Sequence, residues 1–202
     1  MLIPFPYKLI LASNSPRRKE LLAGLNLDFE VKVIPGIDEN YPADMPTENI
    51  ARYLAELKAK PYEGIVADRE IVITADTVVI VNSHVLGKPK DAAQARAMLQ
   101  ELSGCTHDVA TGVCFTSQKR KHSFSVSTKV TFGTLSSEEI DYYIDRYRPF
   151  DKAGAYGIQE WIGYVGVTRL EGSYFNVMGL PVQRIWTELQ RFVDDSHEDS
   201  VL

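Results

Sequence analysis

The chain has 202 residues, 45% hydrophobic and 24% charged, enough for one large domain with a sizeable core. A net charge of −5 argues against a broad nucleic-acid-binding face while leaving room for a local basic pocket. No apolar run approaches the ~20 residues of a membrane span, so neither nucleic acid nor membrane is expected as a partner.

The proline-broken stretch at residues 2–7 carries no basic n-region, and no targeting segment is expected. Residues 8–13 predict a first strand. Ser15 and Pro16 then suit the cap and first turn of a helix, with Leu21, Leu22 and Leu25 on one face. Residues 29–34 alternate as a second strand. Pro35-Gly36 turns into a polar loop that holds Asp38 and Glu39. Thr47 is read as the cap of a helix with Ile50, Leu54 and Leu57 on one face, ending before Pro61. Residues 71–81 form a β-branched run that predicts a buried strand, with Asp76 near its middle. Asn82-Ser83 looks like the turn of a hairpin.

Asp91 is expected to cap a helix with Ala95, Met98, Leu99 and Leu102 inward. Two long strands follow, 106–117 and 123–132, joined by a basic turn read as a solvated hairpin tip. Ser136 begins a helix that ends at Pro149. Residues 151–160 form a loop rich in glycine and small residues. Residues 180–192 predict a last amphipathic helix, and 194–202 a short acidic, solvated tail. Strands alternating with helices, plus hairpins, predict an α/β fold with a mixed sheet, a single domain over residues 1–193. Cys105 and Cys114 lack metal-ligand spacing and the four histidines are scattered. That is the pattern of reduced thiols in a cytoplasmic protein without a zinc site.

Several segments carry possible chemistry, and each has a plainer reading. A charge inside a buried strand is costly unless it is paired, hydrated or metal-bound, so Asp76 is either chemical or a kink at the surface. Ser13, Ser15, Arg17 and Arg18 surround a helix start, where free N–H groups favour an anion; the arginines suit phosphate or pairing with Glu20. Asp38 and Glu39 can ligate Mg²⁺ or sit in a solvated loop. Lys58 lies on a helix, where lysines are normally solvated. Lys88, between Gly87 and Pro89, is either a phosphate contact or part of a surface turn. Gln159 ends the glycine-rich loop and offers both a donor and an acceptor to a base edge. No Walker loop is present. The simplest combined chemistry is metal-assisted attack of water on a phosphate.

The stretches LILASNSPRRKELL, LAELKAK, ITADTVV, LGKP, LSGCTHDVATGV, DKAGAYGIQ and GSYFNVMGLP, with the IDE turn, stand in an order that resembles the Maf family of nucleoside triphosphate pyrophosphatases, once described as septum-formation inhibitors. The likeness runs from Leu9 to about Leu189. It implies a Maf/ITPase-like twisted mixed sheet flanked by helices, with the active site in a cleft. It also implies hydrolysis between the α and β phosphates, with Mg²⁺ or another divalent cation such as Mn²⁺. By resemblance Asp76 is the proton acceptor, Lys58 and Lys88 act beside it, and Ser13, Arg17 and Arg18 bind substrate. Asp38 or Glu39 joins Asp76 at the metal. The family's specificity positions fall on Arg17, Thr77 and Gln159, a combination similar to the dTTP/UTP branch. A branch acting on 7-methyl-GTP and a regulatory role in cell division are the rival readings, and relatives suggest a homodimer. Glu160-Trp161 follow Gln159 where the family often has a glycine.

Overall fold

The β-branched run becomes the central strand, and the positions at which its neighbours stop and start create the cleft. The computed structural model describes residues 5–198. In chain order the elements are β1 (Lys8–Leu11), α1 (Pro16–Ala23), β2 (Phe29–Val31), α2 (Thr47–Ala59), β3 (Glu70–Val81), β4 (His84–Leu86), α3 (Ala92–Leu102), β5 (Thr106–Thr116), β6 (Lys121–Phe132), α4 (Ser137–Tyr147), α5 (Trp161–Gly166), β7 (Val167–Glu171), α6 (Tyr174–Met178) and α7 (Val182–Glu198). Among the described residues the strands form one sheet in the order β2-β1-β3-β5-β6-β7, with β4 beside β3. β1 runs parallel to β2 and β3, and the other pairs are antiparallel, as the mixed α/β reading expects. Among the described residues no helix is long and apolar enough to cross a membrane.

β1 pairs with β3 only as far as Leu11 opposite Ile73, and β4 joins the same strand from Val79 onward. Between these points one edge of β3 has no strand neighbour among the described residues. Its other edge stays paired with β5 throughout, with Asp76 opposite Gly112 and Thr77 opposite Thr111. Backbone groups on an open edge need partners from elsewhere. The gap therefore exposes the middle of a strand that is otherwise buried.

Side chains alternate across the sheet. Thr74, Asp76 and Val78 face α2. The Thr74 hydroxyl donates to the Ala55 carbonyl at 2.7 Å, and Val78 packs with Ile50, Ala51 and Leu54. On the opposite face, Ile71, Ile73 and Ala75 join a core built with Leu22 of α1 and Ile185 and Leu189 of α7. Val79 and Val81 belong to a second core with Leu99, Leu102, Ile140 and Tyr143. Thr77 falls between the two cores, and Met178 packs against both. The molecule thus has two lobes on one continuous sheet.

α2 lies unusually close to that sheet. A Cβ at Gly112 would fall 2.1 Å from the Ala51 carbonyl oxygen, so only glycine admits the helix at this depth. Some sequence expectations shift. β2 stops at Val31 rather than at residue 34 because its partner β1 ends there, with Leu11 opposite Val31. Thr47 is the first helical residue, and Pro46 holds the cap position without a side-chain bond. The basic hairpin tip is anchored, since Arg120 stacks 4.1 Å from the ring centroid of Phe192. α7 starts at Val182 and runs to Glu198, into the stretch expected as a tail; residues 199–202 lie outside the described residues.

Gly112→Ala is expected to destabilise the fold by at least about 3 kcal/mol, because backbone rather than a flexible side chain must move. Denaturant unfolding measures this, and an unchanged midpoint would contradict the packing.

Candidate active site

Lys58 is the hinge of the site. It follows Leu54 by one helical turn, so it lies on the buried face of α2 and not on its solvated side. Its ammonium stands 2.5 Å from Asp76 Oδ1 and 3.1 Å from Glu39 Oε2. The Lys58 and Asp76 side chains are only 16% and 13% exposed, so this pair is screened less than a surface bridge. The acidic turn resolves into two different residues: Glu39 reaches the ammonium, whereas Asp38 is exposed and lines neither cavity of the site.

The two arginines have different tasks. Arg18 fills the gap in the sheet edge. Its guanidinium donates to the carbonyl of Ala75 at 2.8 Å, to that of Gly179 at 2.8 Å and to the Thr77 hydroxyl at 3.1 Å. Ala75 lies two residues beyond Ile73, whose carbonyl takes the Ala12 N–H at 2.9 Å, so Arg18 replaces the missing strand. Burial lowers the Arg18 pKa from its ordinary value, yet a guanidinium stays charged. Arg17 instead turns to Asp151, at 2.9 Å. The Ser15 hydroxyl accepts the Arg18 N–H at 3.4 Å and caps α1, and the buried Ser13 accepts the Ser15 N–H at 3.2 Å. Thr77 is fixed by Thr111 at 2.9 Å as well as by Arg18.

Two adjoining cavities open here. One is lined by Asp76, Thr77, Lys152, Gly157, Gln159 and Met178, among others. The second is lined by Ser13, Asn14, Gly36, Ile37, Glu39 and Ala75, among others. Ser15, Arg17, Arg18, Lys58, Lys88 and Asp151 border both. Four cations therefore stand at the junction. Lys88 is exposed and, among the described residues, has no hydrogen-bond or ion-pair partner. Gln159 lines the first cavity, and its buried Oε1 atom has no partner among the described residues. Orphaned buried amide oxygens are rare, and this one leaves the Gln159 amide with unmet hydrogen-bonding capacity.

The sequence reading assigned no role to Asp151, Lys152, Tyr143 or Glu160. The signal available was the Asp151-Lys152 pair directly before the glycine-rich loop. Lys152 is buried and bridges Asp151 Oδ1 at 2.8 Å and Glu160 Oε1 at 3.1 Å. Burial works to raise the Asp151 pKa, but hydrogen bonds from Lys152 and Arg17 outweigh it and bring it down to about 2. Among the described residues no group of three or more His, Cys, Asp or Glu side chains is placed to hold a metal. A hard cation that keeps its waters needs fewer protein ligands. Glu39 and Asp76, the two carboxylates that converge on the Lys58 ammonium, are the residues that could hold one.

A family model described as "Maf-like protein" matches residues 8–192. A protein of Phocaeicola vulgatus named dTTP/UTP pyrophosphatase is 58% identical over 185 residues, covering 92% of this chain and 96% of its own. Proteins of the same name from Porphyromonas gingivalis and Flavobacterium psychrophilum are 55% and 50% identical, covering 92% and 90% of this chain and 94% and 93% of their own. Among solved structures, a nucleoside-triphosphatase / dITP/XTP pyrophosphatase of Mycobacterium abscessus aligns with a TM-score of 0.40 at 14% identity, over 70% of this chain and 95% of its own.

Lys58→Met leaves two carboxylates facing each other. It is expected to cost about 2 kcal/mol at neutral pH, between the values for exposed and buried pairs. Mg²⁺ should raise the melting temperature of the variant more than that of the wild type. Equal melting temperatures and equal Mg²⁺ responses would show that the carboxylates do not depend on the ammonium.

Proposed function

The chain belongs to the Maf-like family, and on that footing we propose that it hydrolyses dTTP and UTP to the monophosphate and pyrophosphate. The observation that carries this reading is the junction of the two cavities. Four cations border it, Asp76 lines one side, and a partnerless amide oxygen waits on that same side. A triphosphate laid across the seam meets the cations, while its base enters the cavity of Gln159 and its terminal phosphates enter that of Ser13 and Glu39.

Base choice follows from donor and acceptor pattern. Uracil and thymine present a ring N–H flanked by carbonyls. The Gln159 Oε1 accepts that N–H, and its amide nitrogen donates to a flanking carbonyl. Cytosine offers a bare ring nitrogen at the same place and leaves the buried oxygen unsatisfied.

In the reaction Asp76 takes a proton from the attacking water. Lys58 pairs with that carboxylate at 2.5 Å and holds it in place beside the gap. A polyphosphate competes for the same ammonium. As Lys58 turns toward phosphate, the Asp76 oxygen it occupied is freed to accept the proton of the water. Lys88, without a partner among the described residues, is free to meet phosphate oxygens as a point charge. Arg18 acts on the site by holding the strand edge and Thr77 in place; Arg17 borders the substrate directly. A divalent cation such as Mg²⁺ or Mn²⁺ at Glu39 and Asp76 supplies charge neutralisation at the phosphates when bound.

Pyrophosphate release from dTTP, UTP, CTP, ATP, GTP and 7-methyl-GTP, with Mg²⁺ and with chelator, tests this reading. Metal-dependent release fastest from dTTP and UTP is expected. Release from none, or a preference for 7-methyl-GTP, would overturn it. In the same panel Gln159→Ala should lower the preference for UTP over CTP by about tenfold, the worth of one or two hydrogen bonds to a base edge. An unaltered set of relative rates would remove Gln159 from base recognition.

A further inference from the structure

We propose that Glu160, acting through Lys152 and Tyr143, is a positioning residue for base selection that fixes the Gln159 amide. The inference rests on the reading of Gln159 as the group facing the base. It starts from a lysine in an unusual place. Lys152 is 8% exposed, and a buried ammonium persists only when it is paired. Its partners are the carboxylates of Asp151 and Glu160. The other Glu160 oxygen accepts the hydroxyl of Tyr143, a fully buried side chain of α4. That same hydroxyl accepts the backbone N–H of Gly157 at 3.0 Å. The loop before Gln159 is thus tied to a helix at one end and to a buried ion pair at the other.

Gly157 shows how tightly these groups close on one another. A Cβ there would lie 2.8 Å from the Gln159 amide nitrogen, 3.0 Å from Glu160 Cδ and 3.1 Å from Lys152 Cε. Gln159, Glu160 and Lys152 therefore converge on the space above Gly157, with the Gln159 amide nitrogen nearest to it. Its oxygen stays buried and partnerless. A glutamine side chain loses rotamer freedom when held, so a site that holds it beforehand binds the matching base better.

The network ends at the phosphate side. Asp151 Oδ2 accepts Arg17 at 2.9 Å, so charges alternate from Arg17 through Asp151 and Lys152 to Glu160. Removing Glu160 leaves one extra positive charge in the chain. It should loosen the Gln159 amide without weakening the attraction for polyphosphate. A residue that merely supports the fold would weaken both together.

Binding separates these outcomes without turnover. Dissociation constants are measured by calorimetry for the α,β-methylene analogues of UTP and CTP and for inorganic tripolyphosphate. The proteins are wild type, Glu160→Ala, Glu160→Gln and Tyr143→Phe. Wild type should prefer the uridine analogue. Glu160→Ala should cut that preference by about fivefold to tenfold, in line with one hydrogen bond lost, and bind tripolyphosphate at least as tightly as wild type. Glu160→Gln should recover part of the preference. Tyr143→Phe, which changes only a hydroxyl, should move the ratio in the same direction as Glu160→Ala and serves if that variant does not fold. Unchanged ratios in the folded variants, an equal loss for both analogues and tripolyphosphate, or no preference in wild type would each overturn the proposal. Absence of nucleotide hydrolysis by wild type would refute the functional reading and leave this binding ratio intact as a test.

Discussion

An ionised carboxylate in the middle of a β-branched strand needs a cation, a metal or water beside it. Here the ammonium of Lys58 supplies that partner, and the local architecture brings it there. α2 lies deep enough on the sheet for Lys58 to reach Asp76 because Gly112, directly opposite Asp76, has no side chain. The strand is open at that point because β1 ends at Leu11 and β4 begins only opposite Val79. The same carboxylate in a fully paired strand would be buried without use. The gap converts it into a group that lines a cleft.

The open edge has a cost, and Arg18 offsets it by hydrogen bonding where a strand would have been. This explains why two adjacent arginines at a helix start do different work. One is consumed by backbone carbonyls and the Thr77 hydroxyl, and the other looks across the junction to Asp151. The helix start itself borders the second cavity, where its partial positive charge suits an anion. The two apolar cores leave Thr77 between them, so the cleft lies where neither core covers the sheet.

Much of this was legible in the chain. Asp76 stands out because an acidic residue interrupts a run of valine, isoleucine and threonine. The β3–β4 hairpin, the Asp91 cap and the inward residues of α3 follow from local pattern, and the structure agrees in each: Asp91 accepts the Gln94 N–H at 2.8 Å. Lys58 also carried a local signal, its helical spacing from Ile50 and Leu54, although lysines on helices are ordinarily solvated. Other features were hidden because their partners are remote. Arg18 bonds to backbone atoms 57 and 161 residues away, and no side-chain pattern announces a carbonyl. Asp38 and Glu39 are neighbours in sequence and differ only in which one the loop turns toward Lys58. α5, β7 and α6 are short, and β7 is mostly exposed on the sheet edge, so neither helical nor alternating periodicity marks them.

The dependence of the site on the Asp76 carboxylate is tested most directly in Asp76→Asn, which keeps the shape and removes the base. Turnover of UTP and binding of its α,β-methylene analogue are measured on the same preparation with Mg²⁺. Loss of turnover by at least about a hundredfold, with analogue binding kept within an order of magnitude, is the result that general-base catalysis by Asp76 requires. Near-wild-type turnover in the folded variant would contradict it and move the proton transfer to another group.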